Sequence, residues 1–223
     1  MEDRTASKAD GLLEWLCLAA IITVAAVVVP AWAYRRLFCR VPDLLRSGSG
    51  QWRGCAYHGL CLLLAVVLTA GSWRRSGVRI GTLRPHGWKV LIICGLPPVL
   101  TAALYPLLPW RPFAGESISM WLISPLAQDL IFIGYLYGRF ERVLPGLIHR
   151  RVPIGRALVV TAAYFSAWHL QNFGQFPAVF VAMQLVYTFV GCIFTGLTRQ
   201  WTGSILYLVL SHMAANCVAW CMS

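Results

Sequence analysis

Seven apolar segments, each 17 to 23 residues long, are the feature of this sequence that most restricts its fold. A helix needs about 20 mostly apolar residues to cross the hydrocarbon core of a bilayer. Helices also satisfy their own backbone polar groups in lipid, where water is absent. We therefore expect an all-α polytopic membrane helix bundle of about seven transmembrane helices, at residues 12–34, 54–73, 88–109, 116–138, 157–173, 176–197 and 203–222.

The composition excludes most other classes of protein. Hydrophobic residues make up 58% of the 223 residues and charged residues only 12%, whereas a soluble domain carries about 25% charged residues. The apolar segments leave only short loops between them, so residues 1–223 are expected to form a single integral membrane domain. The net charge of +11 indicates contact with anionic lipid headgroups, and no nucleic-acid partner is expected.

The distribution of Arg and Lys predicts the orientation of the chain in the membrane. Thirteen basic residues fall on the side that carries the N-terminus, and six fall on the other side. Because cytoplasmic loops carry the excess of positive charge, we expect the N-terminus in the cytoplasm. The membrane expected is a bacterial plasma (inner) membrane.

A few polar side chains lie inside the apolar segments, and each is a candidate functional residue because such groups are costly in lipid. Asp129 is the one acid of eight that lies inside a long apolar run, and Gln128 precedes it in the fourth segment. His169 lies in the fifth segment. His212 and Asn216 lie four residues apart in the seventh, so their side chains share one helix face. Their depths are compatible with a single shared site.

Two motifs in the second half of the chain carry a resemblance to a known family. Residues 165–169 read F-S-A-W-H, and residues 212–216 read H-M-A-A-N. They are similar to the F-x-x-x-H and H-x-x-x-N motifs of the CPBP family, the CAAX-protease and bacteriocin-processing (Abi) intramembrane proteases. The resemblance covers about residues 116–222, which would form the CPBP-like core.

The first motif of that family is altered in this chain. The family pattern is E-E-x-x-x-R within a stretch such as P-x-x-E-E-x-x-F-R-G, and residues 125–134 read P-L-A-Q-D-L-I-F-I-G. Gln128 and Asp129 therefore stand in place of the two glutamates, and Ile133 stands in place of the arginine. The carboxamide of Gln128 does not act as a base. Asp129 is then the only carboxylate available at this depth.

The resemblance implies an intramembrane endopeptidase of the glutamic type. In such a site a carboxylate and the first histidine activate a water molecule, and a second histidine and an asparagine stabilise the oxyanion. Carried over to this chain, Asp129 and His169 would activate the water, with Gln128 in the usual base position. His212 and Asn216 would donate to the oxyanion. The substrate implied is a membrane-anchored protein or peptide with a lipidated tail, a leader or a C-terminal sorting tail.

Two alternatives stay open on the sequence. The chain could be a catalytically silent relative that binds a helical peptide, in bacteriocin self-immunity or as an assembly factor. Within the enzyme class no cofactor is expected, and the alternative is a Zn²⁺ site formed by His169, His212 and Asp129. Two imidazoles and one carboxylate are a known set of catalytic zinc ligands.

Overall fold

Seven helices form the fold that the computed structural model describes, over residues 3–38, 50–107, 118–174 and 176–223. Residues 108–109 and 116–117, at the ends of the third and fourth predicted segments, lie outside these ranges. Within them the prediction of an all-α membrane helix bundle is confirmed. The helices are α1 (Asp3–Phe38), α2 (Gly50–Thr69), α3 (Gly87–Leu104), α4 (Ser119–Val143), α5 (Arg156–Trp168), α6 (Ala178–Thr202) and α7 (Leu206–Cys221).

Four of these helices are long and apolar enough to cross a membrane. They contain the stretches Leu12–Ala33, Gly87–Leu107, Ser119–Val143 and Ala178–Thr202. Two further helices, α2 and α7, carry shorter apolar stretches over Cys55–Thr69 and Leu206–Cys221. The chain is therefore an integral membrane protein.

The helix α5 is shorter than the sequence predicts. The apolar pattern indicates a segment over residues 157–173, but the α-helix ends at Trp168 and a 3-10 turn follows over His169–Asn172. The 13 residues of α5 extend about 20 Å at 1.5 Å per residue, less than the about 30 Å of a bilayer core. His169, only 8% exposed, therefore lies inside the bundle at the point where α5 stops.

The helix α4 lies at the centre of the bundle. Inside the protein, 67% of its apolar stretch is buried, compared with 11–22% for the other three long helices. Its middle part, Leu130–Leu136, is a π-helix, in which the N–H of Tyr137 bonds to the carbonyl of Phe132 five residues earlier. A π-helical insertion of one residue rotates the following residues by about 100°. Asp129 before this π segment and Phe140 after it are both buried.

The turn between α6 and α7 depends on two glycines. Gly203 ends α6 with a φ of 70° and bonds through its N–H to the Arg199 carbonyl, the left-handed helix ending that favours glycine. Gly81, in the connection between α2 and α3, packs against this turn. A Cβ at Gly81 would lie 2.6 Å from the Thr202 carbonyl oxygen, so only glycine permits the approach.

One end of the bundle, which we call the basic end, collects most of the positive charge among the described residues. A hairpin of β1 (Leu147–His149) and β2 (Val152–Gly155) joins α4 to α5 at this end. Gln200 at the end of α6 holds the hairpin, because its Oε1 accepts from the Gly155 N–H and its Nε2 donates to the Pro153 carbonyl. The basic residues here are Arg74, Arg75, Arg79, Arg84, Lys89, Arg139, Arg142, Arg150, Arg151, Arg156 and Arg199.

Candidate intramembrane active site

A carboxylate and an imidazole meet between α4 and α7. The Nδ1 of His212 lies 3.3 Å from both carboxylate oxygens of Asp129. A carboxylate only accepts hydrogen bonds, so the Nδ1–H donates and the carboxylate fixes the plane of the ring. The Asp129 side chain is 3% exposed and that of His212 is 23% exposed. Among the members of this pair, His212 is thus the one that solvent or a substrate can reach.

The second predicted histidine is held by its own helix. The Nδ1 of His169 lies 3.1 Å from the carbonyl oxygen of Phe165, one turn earlier in α5. Because a carbonyl only accepts, the proton of a neutral His169 ring must be on Nδ1 in this contact. The Nε2 of His169 is then unprotonated and has a lone pair for a hydrogen-bond donor.

One phenyl ring connects the two imidazoles. The ring of Phe165 makes edge contacts with His169 and His212, with centroids 5.4 Å and 6.1 Å apart. It also makes an edge contact with Phe132 of the π segment, at 5.5 Å. The sequence places Phe165 and His169 on one helix face, and the structure adds that the same ring supports the histidine of α7. Phe165 therefore holds both histidines in position through packing.

Gln128 faces away from this pair. Its Nε2 donates to the Ser124 Oγ at 2.8 Å, and its Oε1 is buried with no hydrogen-bond partner among the described residues. The side chain lines a cavity of about 10 Å³ together with Cys61 of α2 and Trp168 of α5. Consecutive residues of a helix point about 100° apart, so Gln128 and Asp129 do not reach His212 together.

Asn216 is turned toward the start of α4. Its Nδ2 donates to the carbonyl oxygen of Met120 at 3.3 Å. A carboxamide nitrogen carries two hydrogens, so this contact occupies only one of its two donors. The structure thus joins Asp129 directly to His212, and it joins His169 to His212 through Phe165. Gln128 and Asn216 donate to other groups, the Ser124 hydroxyl and the Met120 carbonyl.

A polar network that the sequence analysis did not select lies at the end opposite the basic end. The Asn172 Nδ2 donates to the Gln184 Oε1 at 2.7 Å, which ties the 3-10 turn to α6. The Tyr57 hydroxyl lies 3.4 Å from the Gln171 Oε1. Gln184 stands alone in an apolar run, so the criterion applied to Asp129 also identifies it. This network surrounds the polar turn that begins at His169.

The zinc alternative concerns the side chains of His169, His212 and Asp129. Among the described residues, no group of three or more His, Cys, Asp or Glu side chains is arranged to hold a metal ion. The Nδ1 atoms of His169 and His212 are both engaged in hydrogen bonds, which leaves each Nε2 as the ring nitrogen available to a ligand. The 3.3 Å contact between His212 and Asp129 is a hydrogen-bond distance.

Comparison with known proteins identifies the family of this half of the chain. Residues 110–218 match the family model described as type II CAAX prenyl endopeptidase Rce1-like. The comparison with curated proteins gave no match, and the comparison with solved structures gave none either. The matched region contains α4 to α7 and with them Asp129, His169, His212 and Asn216. The resemblance to the CPBP family that the motifs indicate is thus confirmed over residues 110–218, which are similar to the Rce1-like family model.

Proposed function

We propose that this chain is an active intramembrane endopeptidase that cleaves a peptide bond near the membrane in a membrane-anchored protein. The observation that carries the proposal is the 3.3 Å contact between the Asp129 carboxylate and the His212 imidazole inside the bundle. An ionisable residue at this depth is costly and marks a functional site by default. A carboxylate that holds Nδ1 of an imidazole is also the arrangement that orients a catalytic histidine in other hydrolases.

In this proposal Asp129 acts through His212. The Asp129 carboxylate is too deeply buried to touch a substrate, whereas the His212 side chain is partly exposed. With its Nδ1–H donating to Asp129, the Nε2 of His212 is the ring nitrogen left for the reaction. His212 is therefore the base, and Asp129 orients it. The roles differ from those the family resemblance implies, where the carboxylate works with His169.

Hydrolysis then needs one proton to move twice. A water molecule gives a proton to the Nε2 of His212 while its oxygen attacks the carbonyl carbon of the scissile bond. The resulting imidazolium and the second N–H of Asn216 donate to the oxyanion. When the C–N bond breaks, the imidazolium returns the proton to the leaving nitrogen, which yields a carboxylic acid and an amine. The unprotonated Nε2 of His169 accepts the other O–H of the attacking water and fixes its direction.

The groove between α5 and α6 supports a substrate that arrives from the lipid, and Leu170 of its lining follows His169, although Asp129, His169 and His212 do not line it. An open groove of about 430 Å³ lies between α5 and α6, lined by Ala163, Ser166, Ala167, Leu185 and Phe189 among others. Its lining is almost entirely apolar, so it suits the hydrophobic segment of a membrane-anchored protein. We propose a lipidated tail, a leader peptide or a C-terminal sorting tail as the substrate class.

The test uses three reporter proteins that carry these three kinds of tail. The full-length chain is reconstituted in lipid nanodiscs, cleavage is measured by mass spectrometry, and binding is measured by photo-crosslinking from position 167. We expect at least one reporter to be cleaved, and we expect His169→Ala to lose cleavage and keep crosslinking. His58→Asn removes a buried imidazole that contacts Ser119, and this control should cleave normally. Crosslinking without cleavage by the unmodified chain would favour the silent, peptide-binding alternative.

We propose that the reaction needs no resident metal. The support is the lack of a three-ligand group in the part of the chain that the structure describes. Cleavage should therefore persist after dialysis against a strong chelator. Loss of cleavage that is restored by added Zn²⁺ would instead show that the reaction needs the metal and would favour the zinc alternative.

We further propose that anionic lipid headgroups bind the basic end, which faces the cytoplasm together with the N-terminus in a bacterial plasma membrane. Exposed apolar side chains accompany the charges there, with Ile80 88% and Trp88 63% exposed. Aromatic and basic residues together are typical of a membrane–water interface. Reporter fusions at the two termini test the orientation, because only a cytoplasmic N-terminal fusion agrees with it.

A further inference from the structure

Arg199 is a buried cation whose role the reaction scheme does not explain. It lies in the last turn of α6 and is 4% exposed. Its Nη1 donates to the carbonyl oxygen of Gly134 at 2.8 Å, and its Nη2 donates to the carbonyl oxygen of Arg75 at 2.7 Å. A cation is favourable at the C-terminal end of a helix, but this guanidinium reaches across to α4 and to the α2–α3 connection.

The partner of Nη1 belongs to the π segment that follows Asp129. Gly134 lies five residues after Asp129, which is one i→i+5 step of a π-helix. π-helical turns are less favourable than α-helical ones and are frequent at functional sites. A charged donor on the Gly134 carbonyl stabilises the backbone conformation that presents this carbonyl, because a charge-assisted bond is about twice as strong as a neutral one.

The surface of α4 is shaped to receive the guanidinium. Its central carbon lies 4.7 Å from the centre of the Tyr137 ring, in cation–π contact. A Cβ at Gly138 would lie 3.2 Å from Nη2 and 3.1 Å from the Arg75 carbonyl oxygen, so a larger residue at Gly138 would displace the charge. The carbonyl, the aromatic face and the missing side chain all come from one stretch of α4. Ile133, which stands in place of the arginine of the family pattern, is buried and carries no charge. The cation that contacts this stretch comes from α6 instead.

We propose that Arg199 is a positioning residue that holds the π segment of α4 and thereby sets Asp129 against His212. If the π segment relaxed to an α-helix, Asp129 would rotate by about 100° relative to the residues after it. The carboxylate would then leave the imidazole. The inference rests on the proposed role of the pair of Asp129 and His212, but the contact between these two residues is observable without any cleavage.

The test records the ¹⁵N signals of histidine-labelled protein in lipid nanodiscs, with the His212 signals assigned from His212→Asn. We expect Arg199→Gln to shift the His212 signals and to lower kcat for a cleaved reporter about 10- to 100-fold at similar KM, because small displacements in a site cost this much. Arg199→Lys keeps the charge and one donor, so its shift should be smaller. The matched control Arg156→Gln removes an arginine that donates to the Leu147 carbonyl at 3.2 Å, and it should change neither quantity.

A second variant keeps the test decisive if Arg199→Gln does not fold. Gly138→Ala retains the charge and moves the guanidinium by a few tenths of an ångström, so we expect a small shift of the His212 signals in the same direction. Unchanged His212 signals in a folded Arg199→Gln protein, or in Gly138→Ala if Arg199→Gln does not fold, would overturn the inference. Shifted His212 signals in a chain that cleaves no reporter would support the inference and contradict the proposed function alone.

Discussion

Replacing Phe165 by leucine should weaken the fold and the site together, because one ring supports both histidines. Phe165 makes edge contacts with Phe132, His169 and His212. Such contacts contribute about 0.5–1.5 kcal/mol each. Since the three share one ring and leucine retains most of the apolar volume, we expect Phe165→Leu to lower the free energy of unfolding by about 2 kcal/mol. Phe165→Ala also leaves a cavity, and its loss should reach about 3–5 kcal/mol.

Unfolding by SDS titration in mixed micelles, followed by circular dichroism, measures these losses. The matched control is Phe140→Leu, because Phe140 is 1% exposed and stacks on Tyr164 at 6.0 Å without touching either imidazole. Both leucine variants should lose stability, but only Phe165→Leu should also lower kcat per folded molecule. Equal losses of stability in the leucine and alanine variants of Phe165, or equal kcat values for the two leucine variants, would refute the reasoning.

Three further predictions concern packing, the altered motif and the membrane surface. Gly196→Val places a Cβ against the Leu158 side chain, so α5 and α6 must separate, and SDS titration should show a loss of about 1–3 kcal/mol. Gln128→Glu should not raise the cleavage of any reporter, because this side chain faces away from His212; faster cleavage would show that position 128 belongs to the site. Replacing Arg150 and Arg151 together by glutamine should reduce the stabilisation gained from anionic lipid by about 1 kcal/mol per charge, measured by thermal unfolding in nanodiscs with and without phosphatidylglycerol. If the stabilisation by phosphatidylglycerol did not change, the hairpin would not be a binding site for the headgroups.

The helices were predictable because the membrane imposes a length and a hydropathy on each of them. The end of α5 was not, since the segment expected over residues 157–173 includes the polar residues 169, 171 and 172, where the backbone changes to a 3-10 turn. This turn is fixed by contacts from other elements, such as the bond from Asn172 to Gln184. Apolar composition alone carries no information about such partners.

Within the site, the residue types were predictable and their pairing was not. Asp129 was marked by its position in an apolar run, and the spacing placed Phe165 on the face of His169. Whether the carboxylate meets His169 or His212 depends on the rotation of α4 against α5 and α7. That rotation is set by the π segment and by its contact with Arg199, which lies 65 residues from Gly134 in the chain. From the sequence, Arg199 is only one of the 13 basic residues expected on the side of the N-terminus.

A double-mutant cycle on Asp129 and His212 tests the central claim most directly. We measure kcat for a cleaved reporter with the unmodified chain, with Asp129→Asn, with His212→Ala and with the double variant. If Asp129 acts through His212, each single change lowers kcat by about 10²- to 10⁴-fold and the double variant is no slower than the slower single variant. Normal cleavage by Asp129→Asn, or two losses that multiply in the double variant, would contradict the account.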